Sequence, residues 1–287
     1  MKKFFMTICA AALLMTGCGG GTEQAAVDKP ANNFSGATVK LGMITPLNAD
    51  EQKMEGVLTS VLESFGVKDT RHLPKFYDNL KTMQMGIDSG NVEQISVYKC
   101  VANYLVAGND KYELVPNNAL EKINYSFCFG VRKDDAQLKA DLDKAIDAMK
   151  SDGTLDKLTA EYITNVKPDN IPTVDIPKLD GAETLKVGIT GDLPPLDLIT
   201  ADNSPAGFNT AMLAEVSKRI NRNVELVHIE SGARAAALNS KLIDVVFWTI
   251  VPLSDKIPAD IDKPEGMELS QPYFKDSVAH IKLKSSK

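Results

Sequence analysis

Six side chains stand where apolar runs of this 287-residue sequence stop: Asp192, Trp248, Thr249, Arg234, Asn48 and Tyr98. Asp192 follows the run LKVGI at 185–189, and Trp248 and Thr249 end the run IDVVFWT at 243–249. Arg234 follows Ser231-Gly232 at the start of a small-residue helix, where a guanidinium can clamp a carboxylate with two parallel hydrogen bonds. Asn48 precedes an amphipathic helix whose amino terminus suits an anion. Tyr98 follows the strand-like QISV. These groups bind and orient; as a set they lack the paired acid and base, the nucleophile with its base, or the His/Cys clustering that catalysis or a metal needs. The three histidines, at 72, 228 and 280, are far apart in sequence. No metal or other cofactor is therefore expected. Each of the six also has a structural reading: turn cap for Asp192, core for Trp248, surface charge for Arg234. Asp78 reads as the N-cap of a helix running to Ser89.

These residues need a scaffold that presents strand ends. Val39–Thr45, Leu73–Tyr77, Val92–Val97, Tyr125–Arg132, Leu185–Ile189, Val224–Ile229 and Ile243–Thr249 read as strands, and 270–284 as a terminal alternating strand. Between them, Met54, Val57, Leu58, Val61, Leu62 and Phe65 form one helical face. So do Leu80, Met83 and Ile87, and later Leu138, Leu142, Ile146 and Met149. This alternation predicts an α/β fold with a largely parallel sheet, and ligands in such sheets sit beyond the carboxyl ends of strands. VKLGMIT at 39 and LKVGITG at 185 are similar strand starts, which suggests two related lobes. Pro168, Pro172 and Pro177 stiffen a linker at 165–183.

The amino terminus has a targeting pattern. Lys2 and Lys3 precede an apolar run, Phe4–Met15, too short to span a membrane comfortably, and Leu14-Met15-Thr16-Gly17-Cys18 resembles a lipobox. We expect a lipoprotein signal at 1–17, lipidation of Cys18 and a flexible tether at 18–36. Loss of Lys2 and Lys3 takes the net charge from −6 to −8. That balance, the absence of basic stripes and the 6% aromatic content argue against a nucleic-acid partner. Cys100 and Cys128, both beside apolar residues, read as separate buried thiols or as a pair.

The carboxy-terminal pieces LKVGITGDLPPLDLITADNSPAGFNTAMLAEVSKRI, LIDVVFW and LSQPYF resemble the first lobe of bacterial extracellular solute-binding proteins of family 3. YDNLKTMQMGIDSGNVEQISVYKCVANYL and YSFCFGVRKDDAQLKADLDKAIDAMKSDGTLDKLTAEYI resemble the second lobe and terminal helices. The resemblance implies a two-lobed, type II periplasmic-binding-protein-like fold. The lobe order is inverted, as in a circular permutant: small lobe 37–122, large lobe 123–284, joined by one covalent hinge near 110–125. It also implies a monomeric, non-catalytic receptor, lipid-anchored outside the cytoplasm. Such a receptor closes on a small polar solute and delivers it to the membrane subunits of an ABC importer. A sensor or interaction lipoprotein with a degenerate cleft, or a dehydratase-type enzyme on the same fold, are the alternatives. Family receptors for amino acids hold the α-carboxylate with an Arg in the loop after the Trp248 strand and the amino group with an Asp where Tyr98 stands. Here that loop, TIVPLSDKIPADID, carries Lys256 and no Arg, so an α-amino acid is not specified.

Overall fold

The computed structural model describes residues 34–116 and 118–285; the signal at 1–17, Cys18 and most of the tether lie outside them. The chain from Gly36 onward forms one compact unit.

Its first half is the expected alternation: β1 (Ala37–Ile44), α1 (Glu51–Ser64), β2 (Thr70–Tyr77), α2 (Leu80–Asp88), β3 (Gln94–Tyr98), α3 (Lys99–Gly108) and β4 (Tyr112–Leu114). The second half comprises β5 (Asn124–Arg132), α4 (Ala136–Ser151), α5 (Thr154–Thr159), β6 (Thr184–Ile189), β7 (Asp192–Leu193), β8 (Asp197–Ile199), β9 (Pro205–Ala206), α6 (Phe208–Ile220), β10 (Asn223–His228), α7 (Arg234–Asn239), β11 (Val245–Pro252), β12 (Met267–Leu269) and β13 (Phe274–Leu283). The helical faces predicted from spacing are the buried ones: Met54, Leu58, Val61 and Leu62 on α1, and Leu138, Leu142, Ile146 and Met149 on α4.

Helix starts depart from expectation in one place. Asn79, not Asp78, caps α2, its side chain accepting from the Thr82 N–H at 2.8 Å. Asp78 is thereby released for contacts elsewhere. The cap of α1 is Asp50, which accepts from Lys53 N–H at 2.7 Å.

The sheet is parallel at its two ends and antiparallel in the middle. Its path runs β10-β6-β11-β5-β13-β3-β1-β2, with β1–β2, β1–β3, β10–β6 and β11–β6 parallel. The strand that joins the two lobes is β13. Residues 274–277 pair with β5 of the large lobe, and 278–281 pair with β3 of the small one. Two chain segments therefore cross between lobes, the connection from β4 to β5 and β13, whose peptide bonds run unbroken from Ser277 to Val278. The single covalent hinge expected near 110–125 is thus one of two, because the strand that was expected only to pair across the lobes also links them. His72 of β2 and His280 of β13 are buried with ring centroids 5.4 Å apart. Burial, with His72 alongside, pushes His280 down to about 3. The thiols of Cys100 and Cys128 are free and buried. Among the described residues no helix is long and apolar enough to cross a membrane.

Candidate functional site

Strand β11 builds the floor. It opposes β5 in register up to Val246–Gly130 and again from Thr249–Cys128, so Phe247 and Trp248 together face one β5 residue. A bulge of this kind re-aims a side chain. Trp248 takes a φ of +40°, a left-handed conformation that costs a non-glycine residue about 1–3 kcal/mol. The strand also runs on to Pro252, three residues past the expected end, because Val251 and Pro252 pair with Ser126 and Tyr125.

Arg234 opens α7, only 1% exposed, and its guanidinium lies 4.0 Å from the Trp248 ring centre. It donates to three carbonyls: Ser231 at 3.2 Å, Phe247 at 3.5 Å and Thr45, in the opposite lobe, at 3.2 Å. Two of its five N–H groups remain for another acceptor. Tyr98 meets Trp248 edge-on at 6.0 Å and Phe127 at 4.6 Å. The structure thus brings Arg234, Trp248 and Tyr98 together at one point. Thr249 is next to them but fully buried, its hydroxyl without a partner.

Asn48 is placed differently. Its amide donates to the carbonyls of Asp260 at 2.8 Å and Lys263 at 3.3 Å, so it is committed to a loop of the large lobe and offers nothing to an anion. Asp192 also spans the lobes: its Oδ2 accepts from the Lys81 N–H at the start of α2, 2.9 Å away. Its other oxygen is buried without a partner, and burial pushes its carboxyl upward while the α2 N–H groups pull it back. Asp78 completes this seam. Its carboxylate accepts from Gly232 N–H and Thr45 Oγ1, each at 3.1 Å, and its carbonyl accepts from Ser231 N–H at 2.9 Å. Gly232 allows this approach, since a Cβ there would lie 2.7 Å from the Asp78 oxygen.

Two carboxylates escaped the sequence reading. Asp262 is 2% exposed, and its oxygens accept from Leu47 N–H at 2.7 Å and Ile250 N–H at 3.0 Å, one from each lobe. Burial pushes it up, and the attraction of Arg234 and the two N–H groups pull it down. Asp197 is fully buried on β8, accepting from Gly191 N–H at 2.8 Å. Burial raises it to about 6, with Asp192 adding repulsion. The only sequence signal for Asp197 was a charge inside the apolar run PPLDLI, because charges are rarely buried unless partnered.

Between the lobes lies a cavity of ≈ 100 Å³. Arg234, Trp248, Tyr98 and Asp262 form its polar end, and Met54, Leu58, Ile257 and Ile261 are part of its apolar wall. Asp197 and Asp192 do not line it, so neither carboxyl reaches a molecule held there. A second cavity of ≈ 450 Å³, away from Arg234, lies against α3, 163–168 and β13 and includes Cys100 and Asp276.

No curated protein matches the sequence. Among solved structures, the ligand-binding component of an ABC-type import system from Staphylococcus aureus, with zinc bound, aligns with a TM-score of 0.41 at 10% identity. That alignment covers 86% of this chain and 66% of that one, so the chain spans just under two thirds of its length. The GluR0 ligand-binding core from Nostoc punctiforme, in complex with L-glutamate, gives 0.37 at 10% identity over 86% of each chain. The effector-binding domain of QuiR in complex with shikimate gives 0.39 at 10% identity, covering 88% and 90%. Scores of this size say nothing about the ligand here. The sequence match is more direct: residues 185–287, from β6 through β13, fit the model of the bacterial extracellular solute-binding proteins, family 3.

Proposed function

We propose that the chain is an extracytoplasmic receptor, anchored through Cys18, that holds a small solute between two lobes and delivers it to the membrane subunits of an ABC importer. The observation that carries this reading is the cavity whose wall is drawn from both lobes and whose polar end is a buried guanidinium with two N–H groups to spare. Mechanism follows from geometry. A molecule in that cavity contacts α1 and β3 on one side and β11 and α7 on the other, so its binding free energy favours the closed arrangement over the open one. The family match at 185–287 supports the solute-binding part. A thermal-melt screen of the chain against amino acids, amines, organic acids and alcohols tests it. At least one compound raises the melting point, since a ligand that binds only the folded form stabilises it; a flat screen across all four classes removes the reading.

The inverted lobe order, with boundaries at 37–122 and 123–284, belongs to the same proposal. Ile281 of β13 and Gly42 of β1 flank Ile95 of β3 on opposite sides, which puts the two strands about 10 Å apart. A chain opened within 165–183 and rejoined from β13 to β1 by a short linker should fold to the same far-ultraviolet spectrum; a molten product counts against permutation.

A sensor or interaction role is the second reading, favoured by Asp262, which already satisfies one amide from each lobe without any ligand.

A further inference from the structure

Resting on the receptor reading, we propose that the solute is a small, uncharged, mainly apolar molecule whose single hydroxyl-like head lies between Arg234 and Asp262, and that Asp262 supplies from the chain itself the carboxylate a charged ligand would otherwise bring. Three observations carry this. First, Asp262 receives Leu47 N–H and Ile250 N–H, so its carboxylate already bridges the lobes. Second, Arg234 and Asp262 attract one another, yet form no direct salt bridge, and both face the cavity. A neutral head with one donor and one acceptor fits between them, accepting from a free guanidinium N–H and donating to the carboxylate. A second carboxylate would meet the charge of Asp262 in a dry site, and an ammonium would meet Arg234. Third, most of the remaining wall is apolar, including Met54, Leu58, Ile257, Ile261 and Leu193, with Thr45, Ser96 and Tyr125 as its other polar residues. Its ≈ 100 Å³ is smaller than the ~150 Å³ apolar cavity that admits benzene, which sets the body at on the order of five heavy atoms.

The loop that carries Asp262 explains why the slot is filled. Ile257 and Ile261 are buried against Met54, Leu58 and Val61 of α1. Asn48 holds the same loop through Asp260 and Lys263. The loop is thus seated from both sides, and its carboxylate is a fixture of the cleft.

The test compares 2-methylpropan-1-ol with 2-methylpropanoate, the same skeleton with and without the charge, by thermal melting of the full chain. The alcohol should raise the melting point by about 3 °C at roughly ten times its Kd, measured against Val57→Phe, which fills the cavity from α1 and should show no rise. The carboxylate should leave the wild type unmoved. In Asp262→Ala the vacated slot should accept formate, so formate raises the melting point of that variant and not of the wild type. Stabilisation of the wild type by 2-methylpropanoate, equal to or above that by the alcohol, overturns the assignment of ligand class while the receptor reading stands. Failure of every compound in the wider screen removes the receptor reading instead. Should Asp262→Ala not fold, the wild-type and Val57→Phe measurements decide alone.

Discussion

The two lobes meet along two seams built on different physics. At one, Asp262 is buried beside Arg234 and takes an amide from each lobe, among Ile257, Ile261 and the apolar face of α1. At the other, Asp78, Asn79 and Lys81, around the start of α2, bond Gly232, Glu230 and Asp192 in more solvated surroundings. The first is a high-stakes contact: satisfied, it ties the two lobes together, and with one partner gone it leaves a buried charge with less compensation. The second is a set of modest hydrogen bonds that can exchange with water. Opening should begin at the α2 seam and end at Asp262.

Cutting the buried seam gives the largest effect. Asp262→Ala leaves the Leu47 and Ile250 N–H groups without their acceptor and Arg234 without its nearby counter-charge, and should lose about 3–5 kcal/mol in denaturant unfolding. Arg234→Met with Asp262→Leu should lose less than either single change, because no charge is then left buried. A double variant worse than both singles would mean that the pair contributes through packing alone.

The next effect is the pH dependence that Asp197 contributes, isolated by comparison with Asp197→Asn. Its carboxyl is raised from 3.8 to about 6 by burial, so the protonated form suits the fold. Its contribution to stability is complete below the unfolded value near 3.8 and is lost as pH rises through about 6. Between these limits the wild type should lose roughly 2–3 kcal/mol relative to Asp197→Asn. A gap between the two proteins that stays constant from pH 4 to 7 contradicts this.

The smallest effect belongs to the exposed seam. Asn79→Ala removes both the α2 cap and the bond to Glu230, and should cost about 1 kcal/mol. A loss as large as that of Asp262→Ala would erase the distinction between seams.

What was legible in the sequence was what repeats locally. The periodic faces of α1, α2 and α4 and the strand starts at 39 and 185 needed only neighbours within a turn or two. Arg234 and Trp248 could be nominated because the one opens a helix and the other ends an apolar strand-like run. Their contact could not, since a bulge and a left-handed φ at Trp248 bring it about. Asp262 was invisible for a different reason. It lies in a polar-looking stretch, PADID, and its meaning depends on Leu47, 215 positions away. Asn48 and Asp78 were misjudged by the same failing: each looked like a helix-terminus residue and instead holds the other lobe. Local pattern identifies elements, whereas a residue that joins lobes is defined by a partner the pattern does not contain.

Trp248 is the sole tryptophan of the chain, so its emission reports the site without background. Titration of the wild type with 2-methylpropan-1-ol, followed by Trp248 fluorescence, should give a saturable change that is absent in Val57→Phe. A ligand that stabilises the protein while leaving Trp248 emission unchanged would place binding elsewhere and contradict the account.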